Sequence, residues 1–155
     1  MKTILKFVGM DSAEYAQAAQ LRHLLFYQEH DIALEAIASP QEKHYQHLAL
    51  VNDRGQVLAY GQLGQNSRGE FQIYQMVVTP EHQRQGLGRQ ILETLVDRAI
   101  AQGAQRVVLH ARVTKVPFYQ RSGFVSIGET FPSVQTGVPH IKMERSIITK
   151  DITEE

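Results

Sequence analysis

The chain contains no cysteine among its 155 residues. The missing thiols exclude a disulfide framework, a cysteine-based metal centre and an acyl-cysteine intermediate. An excess of charge is missing too. The 16 basic side chains balance the 16 acidic ones, so no global field gathers nucleic acid. No apolar run approaches the roughly 20 residues needed to span a bilayer, and the N-terminus lacks the basic-then-apolar layout of a signal peptide. Neither nucleic acid nor a membrane is therefore an expected partner, and the cytosol is the expected compartment. What remains is an ordinary globular composition with enough length for one sizeable core. Residues 1–150 read as a single domain and 151–155 as a frayed end.

Periodicity and turn chemistry divide that length into elements. Lys2 to Val8 reads as a strand. Asp11-Ser12-Ala13-Glu14 resembles a capping box, with Asp11 or Ser12 as the cap, and opens a helix through Tyr15, Ala18, Ala19, Arg22 and Phe26. A short helix around Leu34 to Ala38 ends at Ser39-Pro40. Strands from His47 to Asn52 and from Gln56 to Gly64 flank the hairpin signal Asp53-Arg54-Gly55. A turn at Asn66-Ser67-Arg68-Gly69 then leads into a strand from Glu70 to Thr79.

The clearest element is a helix from Gln85 to Gln102. Ile91, Leu92, Leu95, Val96, Ala99 and Ile100 form one apolar stripe opposite Gln90, Glu93, Asp97 and Arg98, and Gly103 supplies the stop. Val107, Val108 and Leu109 suggest burial of both faces of a strand from Arg106 to Ala111. A short helix from Val116 to Ser122 and strands from Phe124 to Glu129 and Ile141 to Ile147 complete the chain. The expected architecture is a central mixed sheet with helices on both sides.

Between the strand ending at Val77-Val78-Thr79 and the long helix lies Pro80-Glu81-His82-Gln83-Arg84-Gln85-Gly86-Leu87-Gly88-Arg89. A helix start leaves its first N–H groups unpaired and adds partial positive charge from the dipole. Gly86 and Gly88 put no side chain in the way of an anion, and glycine accepts the φ > 0 values that turn successive amides into one nest. Arg84 and Arg89 add charge, so the segment is suited to a phosphate or pyrophosphate. The P-loop reading fails, because Gly88 is followed by Arg89-Gln90 where Lys-Ser/Thr is needed. The dinucleotide fingerprint fails as well, since Ile91 stands where a third small residue belongs.

Gln83-Arg84-Gln85-Gly86-Leu87-Gly88 resembles the Gln/Arg-x-x-Gly-x-Gly/Ala signature of the GNAT superfamily of acyl-CoA-dependent N-acyltransferases. Pro117-Phe118-Tyr119-Gln120-Arg121-Ser122-Gly123-Phe124 is similar to that family's Phe-Tyr-x-x-x-Gly-Phe segment, in the family's order and at its usual separation. Gly137-Val138-Pro139-His140-Ile141-Lys142-Met143 resembles a stretch of the ElaA-like subgroup, as does Arg22-x-x-x-Phe26-x-x-Glu29. The resemblance implies an α/β (α+β) GNAT fold. It would have a mostly antiparallel, mixed sheet of six to seven strands and about four helices.

The resemblance also implies a function: transfer of an acyl group, acetyl being expected, from acetyl-CoA to a primary amine by direct attack in a ternary complex. Main-chain groups of Met76, Val77 and Val78 would meet the pantetheine amides, and Gln83, Arg84, Gln85, Gly86, Leu87, Gly88 and Arg89 would hold the pyrophosphate. A main-chain N–H near Val78 would serve the oxyanion. Tyr119 matches the tyrosine near the departing sulfur. For the base the candidates are Glu29, His30, His110 and His140, and Glu29 is equally placed to pair with Arg22 or cap a turn. One departure stands out: Arg112 occupies the place, seven before Tyr119, where the family often has asparagine.

The acceptor would be a small-molecule or peptide amine, no metal is required, and a homodimer is allowed. The alternative is a non-catalytic acyl-CoA-binding or regulatory module of the same fold. His44-x-x-His47 has the spacing of a metal pair on a helix, but with no third ligand nearby it reads as a bland surface pair.

Overall fold

The computed structural model describes residues 2–147; the expected frayed end, 151–155, lies outside the described residues. In chain order the elements are β1 (Thr3–Val8), α1 (Ala13–Arg22), β2 (Gln46–Asn52), β3 (Val57–Ser67), β4 (Glu70–Val78), α2 (Leu87–Ala101), β5 (Arg106–Arg112), α3 (Val116–Gln120), β6 (Val125–Pro132) and β7 (Pro139–Ser146). The strands form one mixed sheet in the order β1-β2-β3-β4-β5-β7-β6. The chain folds as two compact units, Met1–Gly64 with Tyr74–Leu95 and Gln65–Ile73 with Val96–Glu155.

In the first unit β1 and β2 pair antiparallel from Thr3↔Asn52 to Val8↔His47, and β2 continues antiparallel onto β3 with a bulge at Leu50/Val51. Ser12 is the cap of α1: its Oγ accepts the Tyr15 N–H at 3.0 Å, while Glu14 turns to Lys6 at 2.8 Å instead of closing a capping box. Tyr15, Ala18 and Leu21 present one helical face to Ala49, Val51, Val57, Tyr60 and Val77. Helix α2 lies close on β3. A Cβ at Gly61 would come within 2.8 Å of Ile91 and 2.9 Å of Leu95, so only glycine admits that approach.

The helix expected to run through Phe26 changes pitch after Arg22. His23–Tyr27 is a π turn in which the Gln28 N–H returns to the His23 carbonyl. A π turn is rare and occurs mostly as a single-turn bulge within a helix, so the periodicity of the sequence gives no sign of it. The short helix expected at Leu34 to Ala38 is a 3₁₀ turn at Leu34–Ala36, followed by a second at Pro40–His44 with a Ser39/Glu42 capping box.

In the second unit β4 runs parallel to β5 from Glu70↔Arg106 to Ile73↔Leu109, and β5, β7 and β6 pair antiparallel. Val107, Val108 and Leu109 are buried, as their run of apolar side chains implies. The stripe of α2 is likewise buried at Ile91, Leu92, Leu95, Val96 and Ala99, but Ile100 is 40% exposed and drops out of it. After α3 the chain turns at Gly123, and the Phe124 N–H bonds to the Tyr119 carbonyl at 3.2 Å.

Candidate active site

The loop before α2 belongs wholly to the first unit. Thr79 Oγ1 and His82 Nδ1 lie 2.8 Å apart, and the His82 N–H bonds to the Thr79 carbonyl, so a one-turn 3₁₀ segment at Pro80–His82 fixes the exit from β4. The Gln83 side chain then reaches back, its Nε2 donating to the Val78 carbonyl at 3.2 Å. Gln83 thus ties the loop to the strand end.

Beyond it the backbone turns left-handed twice, at Arg84 (φ 66) and Gly86 (φ 82). This differs from the sequence expectation in one respect: Gly88 does not contribute a positive φ, because it already lies in the first turn of α2, and Arg84 takes that part instead. A non-glycine residue in this region costs about 1–3 kcal/mol, and such strain concentrates at sites of function.

Gln90 is the first residue of the helix whose N–H finds a helical acceptor, the Gly86 carbonyl at 3.1 Å. Among the described residues no backbone carbonyl takes the amides of Gly86, Leu87, Gly88 or Arg89. Leu87 is buried and anchors the helix start, while Gln83, Arg84, Gln85, Gly86 and Arg89 are exposed. The result is four open amides at the positive end of a 15-residue helix, flanked by two arginines. Open amides at a helix N-terminus are the groups that anions pair with in general.

Met76, Val77 and Val78 close β4 on the same unit, Val77 facing the core and its two neighbours half-buried. Just before them Gln75 takes φ 57, a second non-glycine residue in the left-handed region. Its Oε1 accepts from Arg22 Nε at 3.1 Å and from the Tyr27 hydroxyl at 3.2 Å. Arg22 in turn is fully buried and forks onto Glu42, Nη2–Oε2 at 2.7 Å and Nη1–Oε1 at 3.2 Å. Burial alone would raise the Glu42 carboxyl, but the Arg22 hydrogen bonds and charge overcome it and the net shift is downward.

Two sequence expectations are corrected here. Glu29 does not pair with Arg22, whose carboxylate partner is Glu42: the Glu29 side chain is 77% exposed and lies 3.7 Å from His30 Nε2. His47 is no surface residue either. Its Nε2 donates to the Glu42 carbonyl at 2.9 Å and its Nδ1 accepts from the Tyr60 hydroxyl at 2.6 Å. Both ring nitrogens are used, and desolvation holds the imidazole below its ordinary 6.5, hence neutral.

In the second unit His110 projects from β5 and packs edge-on to Phe131, which stacks on His140. Lys142 stands opposite His110 across the β5–β7 ladder, and Arg112 opposite His140, so these four side chains share one face of the sheet. Partial burial, then the charges of His140 and Lys142, lower the His110 pKa. His140 Nδ1 lies 2.7 Å from the Val138 carbonyl, which ties down one of its two nitrogens. Tyr119 sits on α3 against Phe118 and Phe124, and burial pushes its phenol up to about 12. The sequence pointed to His110, His140 and Tyr119 singly. It had no signal for the buried Arg22–Glu42 pair, whose members stand 20 residues apart.

Residues 12–147 match the family model of the acetyltransferase (GNAT) domain. The chain is 25% identical over 99 residues to the UPF0039 protein C11D3.02c of Schizosaccharomyces pombe, covering 63% of this chain and 65% of the length of that relative. Its fold is similar to that of Escherichia coli ElaA, at TM-score 0.76 and 19% identity, with 94% of this chain and all of that one covered. An acyl-CoA N-acyltransferase from Pseudomonas aeruginosa superposes with TM-score 0.71 at 26% identity, covering 94% of this chain and 99% of its own. No described helix is long and apolar enough to cross a membrane.

Proposed function

This chain belongs to the GNAT family of acetyltransferases, and from that premise we propose that it transfers an acetyl group from acetyl-CoA to a primary amine on a small molecule or peptide. The observation that carries the proposal is the set of open amides from Gly86 to Arg89 at the start of α2, framed by the left-handed Arg84 and Gly86. The residues suit the diphosphate of coenzyme A. The main chain of Met76, Val77 and Val78 would take the pantetheine amides, and a main-chain N–H near Val78 the oxyanion.

Attack by an amine of pKa about 10 at neutral pH carries a handicap of roughly 4 kcal/mol, since only about one molecule in a thousand is deprotonated. His110 supports the reading of a base. With its pKa held below 6.5 by burial and by His140 and Lys142, it is neutral at pH 7 and free to accept the ammonium proton. As the amine nitrogen bonds to the thioester carbonyl carbon, the C–S bond breaks, sulfur leaves as thiolate, and the second proton of that nitrogen passes to solvent, from which the thiolate is protonated. A phenol near 12 giving its proton to a thiolate whose thiol has a pKa of about 8.5 is uphill by about 5 kcal/mol, so Tyr119 acts as a hydrogen-bond donor to the thiolate and not as its acid.

The test is CoA release from acetyl-CoA across a panel of amino acids, polyamines, aminoglycosides and peptide N-termini, alongside calorimetric titration with CoA. Turnover with one amine class supports transfer. Absence of CoA binding would sink the proposal.

A further inference from the structure

An arginine buried to 0% exposure, held by a carboxylate at 3%, is a costly way to fill space. Apolar side chains of like volume stabilise such a position at least as well, so the pair calls for a role beyond stability. The surroundings leave little slack: Tyr15 donates to Glu42 Oε1 at 2.6 Å, and the guanidinium lies 5.9 Å from the centre of the Tyr60 ring. The guanidinium is thereby locked in orientation, and its Nε donates to Gln75.

Gln75 lies on β4 with φ 57, where a strand residue without glycine's freedom does not rest unless held. Tyr27 supplies the second hold, and it stands on the π turn that departs from the regular helix. The ladder of β4 with β5 ends at Ile73, two residues before Gln75, while the Thr79 N–H still bonds to the Leu58 carbonyl of β3 at 2.9 Å. The strand is therefore re-aimed over Gln75 to Val78 and fixed on both sides of the bend.

We propose that Arg22 and Tyr27 form a positioning clamp on Gln75, and that this clamp sets the main chain of Met76–Val78 to receive the pantetheine arm. The inference rests on the acyl-CoA reading of the same site, and it assigns the clamp to the pantetheine half of the ligand only. The diphosphate loop carries its own left-handed residues, Arg84 and Gly86, and the bond from the Thr79 N–H to the Leu58 carbonyl stands between it and the bend at Gln75.

The experiment compares two ligands, acetyl-CoA and 3′-phospho-ADP, which lacks the pantetheine arm. Gln75→Leu keeps the volume and removes the acceptor. It should weaken acetyl-CoA about tenfold, the size of one lost charge-assisted hydrogen bond, and leave 3′-phospho-ADP unchanged. Gln75→Glu restores an acceptor for both donors and should recover acetyl-CoA affinity. Tyr27→Phe, which removes one hydrogen bond and no packing, should shift the same ratio by a smaller factor and guards against a Leu variant that does not fold. Equal losses for the two ligands, or no loss for acetyl-CoA in the Leu and Phe variants, overturn the clamp alone. A wild-type protein that binds neither ligand overturns the acyl-CoA reading together with the clamp.

Discussion

Replacing Gly86 with leucine separates backbone strain from ligand exclusion. Gly86 holds φ +82, and a Cβ there would meet no heavy atom within 4 Å. The folded protein therefore loses only the left-handed penalty, about 1–2 kcal/mol. In a domain of this size that lowers the melting temperature by roughly 2–8 °C. The ligand loses far more, because the new side chain stands at the mouth of the amide cluster. If two amide-to-phosphate hydrogen bonds fail, at about 1.5–3 kcal/mol each, CoA binds roughly 10²–10⁴-fold more weakly. Gly55→Leu is the matched control: φ is +77, again with nothing within 4 Å, on the hairpin between β2 and β3. It should show the same thermal shift and unchanged CoA affinity by calorimetry. Equal affinity in wild type and Gly86→Leu would refute the loop assignment. Equal loss in both variants would show that strain, not occupancy of the cradle, was being measured.

Tyr119→Phe should lower kcat about tenfold, leave the CoA dissociation constant unchanged, and remove no limb of the pH–rate profile below pH 11, since burial pushes the phenol up to about 12; full activity would remove Tyr119 from the reaction. If His110 is the base, His110→Ala should abolish an acidic limb lying below pH 6.5, and His140→Ala should move that limb upward, because the charge on His140 is one of the things holding His110 down; an unmoved limb in both variants excludes His110. Stability should fall as the medium is acidified. His47 has a folded pKa below its ordinary 6.5, so from pH 6.5 downward the unfolded chain binds a proton that the folded chain refuses, and the loss continues to the folded pKa. Within that window each pH unit costs about 1.4 kcal/mol for such a group. Glu42, net lowered from 4.5, adds a second loss below that pH. Denaturant titrations of His47→Gln should lack the His47 share of the first stage, and an identical pH dependence would contradict a neutral buried imidazole.

Most of the secondary structure was legible because its causes are local. The stripe from Ile91 to Ala99 repeats at helical spacing, Gly55 and Gly69 mark hairpin turns, and Val107 to Leu109 carry the continuous apolar run of a strand buried on both faces. The phosphate-type loop was legible for the same reason, since a strand, a proline, two glycines and a helix start are neighbours in sequence. The part played by each loop residue was less so: Arg84, with no compositional sign of it, takes the left-handed position that was expected of Gly88.

What the order of residues settled by itself was the alternation of elements, the helix start with its open amides, and the family to which those motifs point. The tertiary structure alone decided that Arg22 goes to Glu42 and not to Glu29, that His47 is interior, and that Gln75 is bent under a π turn. The physical reason is range. Hydrophobic period and turn preference act over a few residues, whereas a buried charge is tolerable only where distant elements bring its partners to it.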